Sequence, residues 1–317
     1  MLELIDMNQY DESQCITEQY LQKHFKVGEF GVKYLDDKIG GILNDDFILI
    51  GARSGAGKTT LSNIIAHHNS QKGIKTALYS LENYAKDGFV TQVFNEYKKR
   101  TNQPYWRFRL FKCHVYDDLI DFKLLRKIDA EIKEKNKNLF EVNRQTNFGR
   151  EELINDMNEK ALKGIKLFII DHLDYIENAD ETSENIFMSQ LMKDIRQLQE
   201  AYGVAVVAFS HLRKNGSIKF IPKIPSMDEF MGSSNKVKIS TTVILFAPNE
   251  ELNKNHFDDN SYPYRHTYCC IRKLRDEGIN GEAADLRYNI QTGLYEEEKS
   301  NILGVSYDGL TVYGETF

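Results

Sequence analysis

Phe47-Ile48-Leu49-Ile50-Gly51-Ala52-Arg53-Ser54-Gly55-Ala56-Gly57-Lys58-Thr59 decides the fold. Four apolar residues read as a buried strand, and a glycine-bearing loop follows. Leu61-Ser62-Asn63-Ile64-Ile65-Ala66 then opens a helical pattern. Strand, loop and helix in that order are the context a phosphate-binding P-loop requires. The loop's N–H groups can wrap a β-phosphate, and the positive end of the new helix assists them. On this reading Ser54, Gly55, Ala56, Gly57, Lys58, Thr59 and Thr60 bind the nucleotide. Lys58 reaches the β- and γ-phosphates of ATP, and the Thr59 hydroxyl holds Mg²⁺. The usual first glycine of such a loop is Ala52 here, with Gly51 just before it.

Three further strands end in polar groups. Lys75 to Ser80 reads as a strand followed by Leu81-Glu82, and a carboxylate there can orient an attacking water. A surface glutamate is the alternative. Ile165-Lys166-Leu167-Phe168-Ile169-Ile170-Asp171 is a buried strand ending in an acid, the Walker B arrangement, in which Asp171 holds Mg²⁺ through water. Asp174, slightly further on, reads as structural. Val204 to Phe209 is fully apolar and ends at Ser210-His211. That pair is placed to sense the γ-phosphate, unless His211 is a satisfied core histidine.

Elsewhere, residues 14–24 pattern as a short amphipathic helix. Residues 85–138 are hard to read. Tyr105-Trp106-Arg107-Phe108-Arg109 can stack on bases, but a packed loop is the simpler reading, and Ile120 to Ile132 carries the apolar stripe of a surface helix. Glu151 to Leu162 and Ser183 to Ala201 read as helices, the second stopped by Gly203. Residues 213–236 read as a long loop carrying Lys214, Lys219, Lys223, Gly232, Ser233 and Ser234, and loops of this length are usually functional. Thr242 to Phe246 is another strand, and the polar stretch from Asn249 to Tyr264 reads as a loose excursion. His266 to Arg272 and Ala284 to Asn289 form a ribbon, with Lys273 and Arg275 at its turn. Alternating apolar strands and helices imply an α/β fold, a mostly parallel sheet covered on both faces, with the ribbon as an antiparallel edge.

Composition narrows the function. The chain has 317 residues, 41% hydrophobic and 28% charged, and a net charge of −6. That balance lacks the global basic footprint of a nucleic-acid binder, so any DNA contact must be local. No apolar run reaches the roughly 18 residues of a membrane span, and no basic leader precedes one. The expected location is the cytoplasm. Four cysteines without metal-ligand spacing read as buried free thiols.

The order of these motifs resembles the RecA-like C-terminal ATPase domain of DnaB-family replicative helicases, from about residue 30 to 295. Gly51 to Thr59 resembles that family's P-loop, which also carries alanine at the position of Ala52. Ser80-Leu81-Glu82 resembles its Ser-Leu-Glu, where the glutamate is the catalytic base. Ile169-Ile170-Asp171-His172-Leu173 is similar to its Ile-Asp-Tyr-Leu, and Ser210-His211-Leu212-Arg213 to its Ser-Gln-Leu-x-Arg. Gly232-Ser233-Ser234 resembles its DNA-loop motif. Lys273-Leu274-Arg275 with Gly278 and Gly281 resembles the ribbon that delivers an arginine finger to the neighbouring subunit.

The resemblance implies a hexameric ring translocating on single-stranded DNA, with ATP and Mg²⁺, and a loader or primase as further partner. The implied catalytic set is Glu82, Lys58, Arg275, Lys273 and His211, and the DNA-binding set is Lys214, Lys219, Lys223, Gly232, Ser233 and Ser234. Residues 1–30 read as an arm or linker helix, 31–296 as the ATPase domain and 297–317 as a tail. Three departures stand out. His211 replaces the family's glutamine, Glu229-Phe230-Met231 replaces Asp-Leu-Arg, and the family's N-terminal helical domain has no counterpart ahead of the match. A RecA-like ATPase that remodels protein partners without unwinding DNA is the alternative. A strand-exchange recombinase fits less well, because Ser-Leu-Glu and the Lys-x-Arg ribbon favour the helicase.

Overall fold

Side chains alternate between two cores along the central strand, which is why it reads as an unbroken apolar run. Phe47 and Leu49 face one core, Ile48 and Ile50 the other, and all are buried. The computed structural model describes residues 16–82, 86–143, 148–178, 183–212, 224–230, 234–255, 264–278, 281–296, 302–305 and 312–314.

The first elements are α1 (Ile16–Lys23), β1 (Lys26–Gly28), α2 (Lys33–Ile39), β2 (Ile42–Leu43), β3 (Phe47–Ala52) and α3 (Lys58–Gln71). Then come β4 (Thr76–Ser80), α4 (Lys86–Thr101), α5 (Phe108–Lys112), α6 (Phe122–Lys135), β5 (Leu139–Asn143) and α7 (Arg150–Leu162). β6 (Leu167–Asp171), α8 (Glu184–Tyr202), β7 (Ala205–His211), α9 (Ser234–Ile239), β8 (Thr242–Pro248) and α10 (Glu250–Asn255) follow. The chain closes with β9 (Tyr264–Leu274), β10 (Glu282–Asn289), β11 (Leu294–Glu296), β12 (Ile302–Val305) and β13 (Val312–Gly314).

Eleven of these strands make one mixed sheet, in the order β13-β12-β10-β9-β8-β3-β7-β6-β4-β5, with β11 paired to β10. From β8 to β5 all neighbours are parallel; β9 joins antiparallel and carries the ribbon. β1 and β2 form a small separate pair. Helices α7 and α8 cover one face through Leu153, Met157, Phe187, Leu191 and Ile195. Helices α2 and α3 cover the other through Leu35, Leu61 and Ile65. Ser183 caps α8 by accepting from the Ile186 N–H, and Gly203, at φ 57°, ends it in the left-handed conformation where glycine is unstrained.

The expected sheet, covered on both faces and edged by an antiparallel ribbon, is the observed one. Three local readings change. Residues 234–239 are helical, so α9 takes the last part of the expected 213–236 loop. Among the cysteines, Cys269 and Cys270 are buried but Cys113 is exposed, and Cys15 lies outside the described residues. The polar stretch after Asn249 begins as α10 rather than a loose excursion. In the segment that resisted reading, Trp106 stacks on Tyr116 with centroids 4.3 Å apart at 8°. Trp106 is thereby half-buried, but Tyr105 is exposed and Phe108 begins α5, so the expected packed loop is seen only in part. Strands β12 and β13, beyond residue 296, extend the sheet edge.

Candidate active site

Register brings the polar strand ends level. Ala52 of β3 sits opposite His211 of β7, and Ser80 of β4 opposite Asp171 of β6. The Leu81 N–H donates to the Asp171 carbonyl at 2.8 Å, so Glu82 and His172 leave the sheet together. This is the carboxyl edge of a parallel sheet, where open α/β folds bind ligands.

The P-loop bends between β3 and α3. Gly57 has φ 90°, a conformation that glycine adopts without strain. Gly51 is needed for a different reason: a Cβ there would lie 2.5 Å from the Phe230 ring. The close approach seats residues 224–230 against the loop. Arg53 and Glu229 complete the contact as an ion pair at 3.1 Å, with Glu229 buried. The acid that departs from the family's Asp-Leu-Arg thus faces the phosphate loop.

Lys58 Nζ donates to His211 Nδ1 at 2.9 Å. Burial pushes the Lys58 ammonium below its ordinary range, against the pull of Glu82, Asp171 and Asp174. Burial lowers His211 too, with His172 and Lys58 adding to the effect. Asp171 is 2% exposed. Its Oδ2 accepts from Ser62 Oγ at 3.0 Å, while Oδ1 has no hydrogen-bond partner among the described residues. Burial raises its carboxyl, partly offset by Ser62 and Thr59. A buried, half-satisfied carboxylate beside the Thr59 hydroxyl is a donor set that fits a hydrated Mg²⁺.

Behind this edge lies a network that sequence reading missed. Asp174, in the 3₁₀ turn after β6, accepts from the His211 N–H at 2.7 Å, from Ser210 Oγ at 3.1 Å and from Lys236 Nζ at 2.7 Å. Its carboxylate also lies 3.2 Å from His172 Nδ1. Burial alone would raise Asp174, yet His172 and Lys236 hold it well below the usual carboxylate range. Lys236 is fully buried, and so is Ser210. His172 Nε2 lies 3.5 Å from Glu82 Oε2, and the His172 and His211 rings meet edge-on at 4.1 Å. The expected structural role of Asp174 is that of the hub of this network. An acid three residues past Asp171 was its only signal in the sequence.

A cavity of about 830 Å³ opens beside Thr59 and Thr60, with Asn63, Asn95, Tyr288 and Gly293 in its wall. That volume suits a nucleoside. Lys273 and Arg275 lie elsewhere: Lys273 Nζ donates to the carbonyls of Val237 and Ser240, and Arg275 to those of Lys238 and Ser240. Both cations thus sit on the C-terminal end of α9, favourable for positive charge. Lys214, Lys219, Lys223, Gly232 and Ser233 lie outside the described residues, and Ser234 starts α9.

The model of the DnaB-like helicase C-terminal domain matches residues 29–297. The chain belongs to that family. Solved structures agree on the DnaB-like fold. The ATPase domain of G40P superposes with a TM-score of 0.68 at 17% identity, covering 90% of this chain and 96% of that one. A DnaB-like replicative helicase solved for its interactions with primase gives 0.66 at 19%, covering 87% of this chain and 63% of that one. A search of curated proteins finds no match. The family is one of ATP-binding helicases of DNA replication. No helix among the described residues is long and apolar enough to cross a membrane.

Proposed function

We propose that this DnaB-like domain is the ATP-hydrolysing motor of a ring that translocates on single-stranded DNA at a fork. One observation supports it above the others: Glu82, Asp171 and His211 come from the ends of three neighbouring strands at one edge of the sheet, with Lys58 beside them at the start of α3. In this reading the loop from Ser54 to Thr60 holds the phosphates, and the cavity beside Thr60 takes the nucleoside. Thr59 and Asp171 would hold Mg²⁺, which neutralises charge on the β- and γ-phosphates when bound. Glu82 orients and deprotonates the attacking water. His211 contacts the γ-phosphate, with Lys58 as its present partner.

Lys273 and Arg275 act on a neighbouring subunit's nucleotide, the guanidinium offsetting charge in the transition state. Their carbonyl partners on α9 hold them ready on the ribbon and are exchanged on assembly. Exposed Tyr20 and Leu21 on α1 offer an apolar face to a neighbour in a hexamer. Lys214, Lys219, Lys223 and the Gly232-Ser233-Ser234 turn contact DNA phosphates, which position a strand without reading its bases.

The test is ATP turnover with and without single-stranded DNA, on protein whose oligomeric state is measured in parallel. DNA-stimulated turnover by a ring is expected. Turnover indifferent to DNA would replace this reading with that of a protein-remodelling ATPase.

A further inference from the structure

We propose that Glu82, His172 and His211 form a site for a borderline divalent metal ion, Zn²⁺, and that filling it stops hydrolysis. One ligand atom from each of the three lies within 4.8 Å of the others. His172 Nε2 and Glu82 Oε2 are 3.5 Å apart. Two ligands on a tetrahedral zinc, with bonds of about 2.0–2.1 Å, stand roughly 3.4 Å apart. The third ligand is an imidazole nitrogen of His211, whose ring already meets that of His172.

His172 carries the argument. It is 1% exposed, and neither ring nitrogen makes a hydrogen bond among the described residues. Asp174 faces its other nitrogen at 3.2 Å. A carboxylate beside one imidazole nitrogen favours the tautomer that leaves the opposite lone pair for a metal, and zinc-bound histidines are usually supported in this way. Asp174 is itself held by Ser210, Lys236 and the His211 N–H, so this support is rigid. In the tautomer protonated at Nδ1, on the side of Asp174, the Nε2 lone pair faces the Glu82 carboxylate 3.5 Å away, acceptor against acceptor. A bound cation turns that opposition into two bonds. Lys58 beside His211 opposes the ion, and the carboxylates of Glu82, Asp171 and Asp174 outnumber it.

Ligand chemistry separates this site from the magnesium set. Mg²⁺ takes oxygen ligands and keeps its waters. Two imidazoles and one carboxylate suit Zn²⁺ or Co²⁺. Three protein ligands leave a fourth position for water or a terminal phosphate oxygen. The inhibitory consequence rests on the roles proposed above: a zinc-bound Glu82 cannot take a proton from water, and a zinc-bound His211 cannot contact the γ-phosphate freely.

The experiment uses the full chain, nucleotide-free and stripped with chelator, in a Cys113→Ser background because that thiol is exposed. Co²⁺ is titrated and its visible absorption followed, then Zn²⁺ is added. One Co²⁺ per chain with tetrahedral bands is expected, bleached by Zn²⁺. Glu82→Gln and His172→Asn should each abolish the bands, and Asp174→Asn should weaken binding about 10–100-fold. Glu82 is exposed, so its variant keeps the test valid if His172→Asn fails to fold. Unchanged bands and affinity in Glu82→Gln, or no bands in the parent, overturn the site. Zn²⁺ at the concentration that displaces Co²⁺ should then stop ATP turnover; continued turnover by zinc-loaded protein overturns the inhibition. A chain with no turnover even without Zn²⁺ refutes the ATPase reading instead, and the Co²⁺ titration still decides the site.

Discussion

Lys236 and Lys273 differ in what their charge meets. Lys236 is fully buried and ends on Asp174 and Ser210, inside the network behind the nucleotide edge. Lys273, with Arg275, ends on carbonyl oxygens of the segment that carries Lys236. The first cation is paired with a charge, as burial demands. The second pair rests on neutral acceptors that a stronger anion can replace. One region is closed by a charge pair, and the other holds the two cations that the proposed function assigns to a neighbouring subunit's nucleotide.

The largest expected effect tests that second region. Arg275→Ala should bind ATP nearly normally and lose roughly 10³–10⁵ in turnover, the range of known arginine fingers. Mixing Arg275→Ala with Lys58→Ala protein should restore activity where an intact Lys58 meets an intact Arg275. If Arg275→Ala alone turns over normally, or if mixed rings form and regain no activity, the ribbon belongs with the self-contained region.

Next comes the buried pair. Lys236→Met leaves Asp174 charged and without its cation, which should cost about 3–5 kcal/mol of stability. Lys273→Met, losing only partly exposed carbonyl contacts, should cost about 1 kcal/mol. Urea unfolding of the two variants measures both, and equal costs would erase the contrast. At His211, proposed to contact the γ-phosphate, His211→Gln should preserve hydrolysis and DNA coupling. His211→Ala should separate DNA binding from turnover. Parental behaviour in both variants would leave His211 a packed residue.

The smallest effect lies at the far edge of the sheet. Glu141 of β5 has a buried Oε1 without a partner among the described residues, and burial pushes its carboxyl from 4.5 up to about 7. A raised acid favours the fold while neutral, below its unfolded pKa, and loses that contribution as pH rises through the folded value. Glu141→Gln should therefore stabilise the protein at about pH 8, by roughly 1 kcal/mol after allowing for solvent screening, and hardly at about pH 4. Thermal unfolding at the two pH values is the check, and equal shifts would assign the effect to packing.

What could be read in the sequence was contiguous. Phe47 to Thr59 carries strand, loop and helix in one stretch, and Leu167 to Asp171 carries its own burial pattern. The network behind them was not legible, because His172, Asp174, Ser210 and Lys236 come from separate segments. Lys236 in particular reads as one cation of a polar run. Only the β6–β7 register and the docking of α9 make it a buried partner of Asp174. Helix α4 escaped for another reason. Its Phe89, Val93, Phe94 and Tyr97 do recur at helical spacing, but the buried Lys98 and the charged residues between them dilute the stripe.

Two ion pairs described separately share a geometric consequence. Arg53–Glu229 lies just before residues 231–233, and Lys236–Asp174 just after them. Residues 224–230 are thereby tied to the phosphate loop, and α9 to the network that reaches His172 and Glu82. A pull on either segment is therefore felt at the nucleotide edge, as a pull on either rein is felt at the bit.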